Sequence, residues 1–292
     1  MLNISERNFL KEKLGNVPFE TDYPLKNFSR YKTGGIGKIA VFPTTIDELI
    51  YSVDILEKEY PVFVIGGGSN LLISDNGFNG AVISTLKLDK ISLTGNLLTA
   101  ECGAKLIDLL NESVMNSLGG LEFSVGIPAT VGGAVCMNAG CYNKCIGDTV
   151  RFVVSNKGTY SKEECLFDYR TSRFKNGEVI LKVCFSLTPS EEDVIEEKIK
   201  TYKGFRRTPK GRNCGSVFKN DGYFAGKVID DIGFKGFKLG GAKISDSHAN
   251  YIIAEEGATS SDIYNLIQTI KDKVFKEKQI ELKEEIIYLG EF

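Results

Sequence analysis

The chemistry visible in this 292-residue chain begins at two glycine-rich stretches. The first, Val62 to Leu72, reads VFVIGGGSNLL. An apolar run ends there in Gly66, Gly67 and Gly68, whose missing Cβ atoms let backbone N–H groups converge on an anion, and Ser69 and Asn70 add side-chain donors. The same letters also describe a plain glycine turn between strands. The second stretch, Gly126 to Gly140, reads GIPATVGGAVCMNAG, and residues this small let a planar or diphosphate-bearing ligand approach the backbone. Two familiar nucleotide signatures fail. Gly35-x-Gly37-x-x-Ala40 has the letters of a dinucleotide fingerprint but runs into Val41–Phe42–Pro43 instead of a helix. No Gly-x-x-x-x-Gly-Lys-Ser/Thr loop occurs, and the glycines at 66–68 continue into the strand-like run Leu71–Leu72–Ile73. The pattern therefore predicts a phosphate nest without a helix dipole behind it.

Other reactive groups are sparse. His248 is the single histidine, and Cys136, Cys141 and Cys145 are loosely spaced with no imidazole nearby, so packed thiols are expected and no metal site. Seven cysteines without a CxxC pair read as reduced thiols in a reducing compartment. With 36 Lys+Arg against 38 Asp+Glu the net charge is −2, which supplies no field favouring nucleic acid or an anionic membrane. Phosphate binding must then be local. The chain has no apolar run of about 18 residues, and charges interrupt its N-terminus, MLNISERNFLKEKL, so a cytoplasmic protein is expected.

The elements that must position these groups follow from periodicity. Thr45-x-x-Glu48 is a capping-box pattern, and Ile46, Leu49, Ile50, Val53 and Leu56 recur at helical spacing, which predicts a helix over 45–59. Val62–Ile65 reads as a buried strand, giving a strand, helix, strand order around 38–65. Gly80–Ser84 is another strand, and Ile91–Leu93 with Leu97–Ala100 flank Thr94–Gly95–Asn96 as a hairpin. Residues 104–117 are helical through Leu106, Leu109, Leu110 and Val114. Val150, Phe152 and Val154 alternate as a strand, and Val179–Leu187 is a further apolar run. Ser190 should cap a charged helix reaching about Lys203, with its acidic first turn suited to the N-terminus. A basic loop over 204–213, a helix over 261–278 and a last strand near Ile286–Leu289 complete the pattern. Length and an ordinary composition, 42 % hydrophobic and 25 % charged, suit two domains. The expectation is an α+β chain with a helical leader over 1–20, one domain over 21–188 and a smaller α+β unit over 189–292.

At six separated segments the chain resembles a known family. VIGGGSNLLISDNGF, GLEFSVGIPATVGGAVCMNAG, FDYRTSRF, CGSVFKN, GFKLGGAKISDSHAN and KEEIIYLG, in this order, are similar to UDP-N-acetylenolpyruvoylglucosamine reductase. The likeness runs from about residue 26 to 291. It departs at Ala129, where the family usually has glycine, and at Asp221 and Glu284, where it usually has proline. The short interval from Arg170 to Ser216 resembles the subtype lacking an extra substrate-covering loop.

The resemblance implies an FAD-binding fold of the vanillyl-alcohol-oxidase (PCMH) type in two lobes over 21–188, and a substrate-binding unit after it. FAD would be held non-covalently, with Gly66, Gly67, Gly68, Ser69 and Asn70 at its diphosphate and Gly126, Ile127, Pro128, Thr130, Gly132, Gly133 and Ala134 along the flavin. The implied reaction is NADPH-dependent reduction of UDP-N-acetylglucosamine enolpyruvate in peptidoglycan precursor synthesis. Hydride would pass through the flavin to the vinyl carbon. Ser216 matches the proton donor, and Arg170 and Glu285 match the groups that stabilise the enolate; Asn220, His248 and Arg207 fall where substrate is contacted. The same letters admit duller readings: a loop serine, a surface ion pair at Arg170, an acidic edge pair at 284–285 and a buried structural histidine. A monomer is expected. A flavin oxidase of the same fold, or a silent FAD- or UDP-sugar-binding protein, would keep the loops without this reaction.

Overall fold

Local rules account for most of the first lobe of the computed structural model, which describes residues 3–292. Helix α1 (Ile4–Leu14) starts at Asn3, whose side chain accepts from Glu6 N while the Glu6 carboxylate takes the Asn3 N–H. The leader expected over 1–20 begins with Met1 and Leu2, outside the described residues, and it already ends in strand β1 (Phe19–Pro24). Next come β2 (Ile36–Val41), α2 (Ile46–Leu56), β3 (Val62–Ile65), β4 (Leu71–Ile73) and β5 (Phe78–Ser84). The sheet order is β1-β2-β5-β3, with β5 parallel to both β2 and β3, so the expected strand, helix, strand unit is β2–α2–β3 with β5 inserted. Gly35 leads into β2 and Gly37 lies within it, a strand in place of a helix, which disposes of the dinucleotide fingerprint.

Two expectations in this lobe need correction. Thr45 Oγ1 does accept from Glu48 N, at 3.1 Å, but the Glu48 carboxylate turns to Thr44 N and Oγ1, so the reciprocal half of the capping box closes one residue early. Strand β3 is an edge strand in which only Ile65 is buried. An apolar run records a tendency to bury, and sheet order decides how many faces are covered.

The second lobe holds β6 (Ile91–Thr94), β7 (Leu97–Glu101), α3 (Leu106–Met115), β8 (Leu118–Gly119), α4 (Val131–Cys136), β9 (Gly140–Cys141), β10 (Lys144–Cys145), β11 (Val150–Ser155), β12 (Gly158–Ser161), β13 (Ile180–Ser186) and β14 (Thr188–Pro189). Five of these strands form an antiparallel sheet in the order β12-β11-β13-β7-β6, and β6–β7 is the expected hairpin. A register shift between Val150 and Phe152 switches the buried face of β11 to Val153 and Ser155, away from the simple alternation of Val150, Phe152 and Val154. Ser190 does not cap the next helix. The β8–β14 pairing continues through its N–H, which donates to Ser117 O at 2.9 Å, and α5 (Glu192–Phe205) begins after Glu191 with no side-chain cap. The acidic first turn, Glu192 and Asp193, is present as expected.

The remaining elements are α6 (Ala225–Asp231), β15 (Lys238–Leu239), β16 (Ala242–Ile244), β17 (Ile252–Ala254), α7 (Ser260–Lys278) and β18 (Ile287–Leu289). Thr259 and Asp262 form a full capping box on α7, which buries Ile263, Leu266, Ile267, Ile270 and Val274 in the core behind β15–β17. The regions interlock. Ile199 and Tyr202 of α5 pack against the core of the first two lobes, Tyr31 and Leu72 are buried in the C-terminal core, and β18 pairs in parallel with β4. That last pairing returns the chain end to the glycine loop. Among the described residues no helix is long and apolar enough to cross a membrane.

Leu72 is fully buried in the C-terminal core while its backbone belongs to the β4–β18 pair. Leu72→Ala should cost about 2–5 kcal/mol in urea denaturation. A loss below about 1 kcal/mol would show that the C-terminal core does not rest on this strand.

Candidate active site and cofactor cradle

The first glycine stretch joins β3 to β4. Among the described residues, none of the backbone N–H groups from Gly66 to Asn70 donates within the protein. Gly68 has φ +58°, and a Cβ there would overlap Phe28 O; a Cβ on Gly66 would overlap Thr130 Oγ1, so the two glycine stretches lie against each other. Arg30 N donates to Gly68 O at 3.3 Å, and Cys214 Sγ donates to Leu71 O at 3.4 Å. Burial pushes the Cys214 thiol up to about 11, which keeps it a neutral donor at this junction.

The second stretch is different in kind. The N–H groups of Ile127, Ala129, Val131, Gly132 and Ala134 donate to Ser124 O, Ile127 O, Ala104 O, Cys102 O and Thr130 O, and Gly133 N donates to Thr130 Oγ1. Residues 131–136 form the short helix α4, capped by Thr130 and absent from the sequence reading because Gly132 and Gly133 are poor helix formers. These amides are therefore engaged internally, and the stretch offers a wall of small side chains. Unpaired donors on one loop and a low wall on the other fit a diphosphate-bearing cofactor with a planar ring.

Arg170 occupies the tight turn Tyr169–Arg170, closed by Asp168 N to Thr171 O at 3.1 Å and Thr171 N to Asp168 O at 3.2 Å. Its φ of +54° costs a non-glycine residue about 1–2 kcal/mol. Anchors hold the turn in place: Asn138 Nδ2 donates to Asp168 O at 3.0 Å, and Ser172 Oγ donates to Cys136 O at 2.8 Å at the end of α4. So fixed, Arg170 Nε donates to Glu285 Oε1 at 2.7 Å and Nη2 donates to Gly140 O at 2.8 Å. The pair is mostly shielded, with Arg170 and Glu285 side chains 21 % and 15 % exposed. Burial raises the Glu285 carboxyl above its ordinary range, while Arg170, Lys219 and Lys175 pull the other way. Glu284 faces elsewhere, to Lys271 Nζ at 2.9 Å, so extended-chain alternation puts only Glu285 on Arg170.

Ser216 reaches the same place through its neighbour. Glu285 N donates to Val217 O at 2.8 Å, and Ser216 is half-buried. Asn250, 4 % exposed, holds this segment from behind: Nδ2 donates to Phe218 O at 2.8 Å, Oδ1 accepts from Phe218 N at 2.9 Å, and its carbonyl accepts from Val217 N. His248 Nδ1 accepts from Asn250 N at 3.3 Å, and burial lowers its pKa, so the imidazole serves its own turn as a neutral acceptor. Asn220 Oδ1 accepts from Ala225 N at the start of α6, and Asn220 N donates to Tyr169 Oη at 3.1 Å. Arg207 is exposed and donates to Gly204 O. Of the basic loop, Arg206 and Arg212 are bound to carbonyls, at Phe123 and at Ala254 and Glu255.

Arg170, Glu285 and the Ser216 segment are thus brought together, Asn70 Nδ2 donates to Glu285 O at 3.0 Å, Asn220 is tied to the same turn, and Arg207 lies on the surface. Asn138, Ser172, Tyr169 and Asn250 were missed. Their only sequence signal is polarity beside apolar residues, and their partners lie far along the chain.

Comparison with known proteins bears on this geometry. Residues 207–289 match the family model for the C-terminal domain of UDP-N-acetylenolpyruvoylglucosamine reductase, and residues 37–159 match that of an FAD binding domain. The UDP-N-acetylenolpyruvoylglucosamine reductase of Clostridium botulinum is 38% identical over 300 residues, covering 98% of both chains. That of Caldicellulosiruptor saccharolyticus is 39% identical over 294 residues, covering 96% of this chain and 94% of its own. The crystal structure of the reductase from Thermus caldophilus superposes with a TM-score of 0.83 at 30% identity, covering 94% of this chain and 99% of that one.

Gly68→Ala should weaken FAD uptake at least about tenfold in a fluorescence titration, because the methyl meets Phe28 O and the positive φ resists it. Gly95→Ala, also at positive φ but in open space, should leave uptake unchanged. The raised Glu285 pKa carries a sign: the native state keeps this proton where the unfolded chain has released it, so the contribution is complete below the unfolded value and declines as pH rises through the native one. The stability of Glu285→Gln relative to the parent should therefore increase from about pH 4 to about pH 7 in urea denaturation. A relative decrease would mean that attraction to Arg170 outweighs burial.

Proposed function

The chain belongs to the UDP-N-acetylenolpyruvoylglucosamine reductase family, and from that premise we propose how its own residues divide the work. It is an FAD-binding oxidoreductase, a UDP-N-acetylmuramate dehydrogenase of peptidoglycan precursor synthesis, with a PCMH-type FAD-binding domain followed by the family's C-terminal domain. In our reading the substrate is UDP-N-acetylglucosamine enolpyruvate and the reductant is NADPH. Once reduced by NADPH, bound FAD would supply the hydride for the terminal vinyl carbon.

The residues of this chain do the rest. Amides from Gly66 to Ser69 would hold the cofactor diphosphate non-covalently, and Gly126, Ile127, Pro128 and Thr130 would shape the space beside the ring. Arg170 spends Nε and one Nη2 hydrogen on Glu285 and Gly140, which leaves Nη1 for the substrate carboxylate, where a planar guanidinium steadies charge spreading onto an enolate. A fixed donor aimed at developing charge contributes several kcal/mol, on the order of 3. Ser216 Oγ gives its proton to the carbon next to the one receiving hydride, and solvent restores that proton. A serine hydroxyl is a weak acid, so in this reading the cations that act on Glu285, Arg170 and Lys219, also lower the cost of the transient alkoxide. Glu285 balances Arg170 and fixes its fork. Arg207 and Lys210, both exposed, are left to meet the UDP diphosphate. We take the monomer as the working unit.

The observation that carries this reading is the shielded Arg170–Glu285 pair at 2.7 Å, joined through Glu285 N and Val217 O to the residue after Ser216. An anaerobic assay tests it: loss of NADPH absorbance should require the enolpyruvyl sugar. Loss that requires oxygen would indicate an oxidase, and a yellow protein with neither activity a binding protein. Ser216→Ala should leave flavin reduction by NADPH within about threefold while slowing reoxidation by the sugar by about 10²–10⁴. Equal loss of both half-reactions would remove Ser216 from the proton-donor role.

A further inference from the structure

Asn70 closes the glycine loop, and its side chain is hydrogen-bonded to a residue outside that loop. Its Nδ2 donates to Glu285 O at 3.0 Å, and its own carbonyl accepts from Ile287 N at 3.0 Å. The two bonds bracket Ile286 and lead directly into the parallel β4–β18 pair. From the other side Val217 O takes the N–H of Glu285 at 2.8 Å and that of Ile286 at 3.4 Å. The Glu285 backbone is therefore gripped twice, its N–H by the residue after Ser216 and its C=O by the last residue of the cofactor loop. Its carboxylate has Arg170 Nε as hydrogen-bond partner, so where that carboxylate sits depends on how the backbone is held.

We infer that Asn70 is a positioning residue for Glu285 and that its side chain does not bind the cofactor. The inference rests on the reading of Glu285 given above. A group misplaced by about 1 Å at a reacting centre costs on the order of 10²-fold in rate, and without Nδ2 the Glu285 carbonyl is free to shift toward solvent. The same bond joins the seat of the diphosphate to the carboxylate beside the substrate. A cofactor loop out of place would then carry Glu285 out of place with it.

A double-mutant cycle tests this. Asn70→Ala should change FAD affinity and flavin reduction by NADPH by less than about threefold and slow reoxidation by the enolpyruvyl sugar by about 30–100-fold. In a Glu285→Gln background the same change should add less than about threefold, because a residue acting through Glu285 has nothing left to position. Asn70→Ser, too short to span to Glu285 O, carries the same expectation should Asn70→Ala lose its fold. An FAD affinity weakened more than about tenfold with normal reoxidation at saturating FAD would make Asn70 a cofactor ligand and overturn the proposal. So would effects that multiply in the double variant. If Glu285→Gln alone leaves reoxidation intact, the role of Glu285 fails first and the proposal falls with it.

Discussion

A guanidinium and a carboxylate separated by 115 positions in sequence meet at 2.7 Å in a largely shielded setting, and the rest of the site is arranged to make that meeting possible. Removing one member of such a pair leaves a charge that burial penalises, so each side is worth ordering only if the other is in place. Arg170 is held there by a strained turn, and the strain is offset by Asn138 and Ser172 anchoring it to the end of α4. Glu285 is held by the return of the chain end along β4. The site is thus a junction of three regions, and no one of them contains it.

The same economy governs the cofactor cradle. A backbone N–H can either stabilise the fold or bind a ligand, and the two glycine stretches take opposite sides of that choice. Gly66–Asn70 leave their donors uncommitted, which creates affinity for an anion. Residues 127–134 turn most of theirs inward to form α4, and contribute closeness instead of hydrogen bonds. Polar side chains follow the same logic: Asn250 satisfies both polar groups of Phe218, and His248 is neutralised by burial in support of Asn250.

Much was legible before any fold was known. The helices at 46–56, 106–115 and 260–278 follow from apolar spacing, and the first of them also from the threonine at its cap, because those forces act within a few residues. The hairpin around Gly95 and the strand after Gly35 follow for the same reason. Errors occurred where a local signal competed with a distant partner. Ser190 lost its capping role to a strand pairing with residues near 118, and β3 lost burial to its edge position.

Residue types alone therefore determined the family likeness, the rejection of a helix-backed nucleotide fold, and the list of groups able to act as donors, acids or counter-charges. Which of Glu284 and Glu285 turns inward, that the Asn70 side chain reaches a backbone carbonyl, that the amides after Gly126 are already engaged, and that His248 supports Asn250 were decided by tertiary structure. The reason is range: spacing encodes what a residue meets within a turn or two, whereas a hydrogen bond between positions 70 and 285 exists only once the β4–β18 pairing has formed.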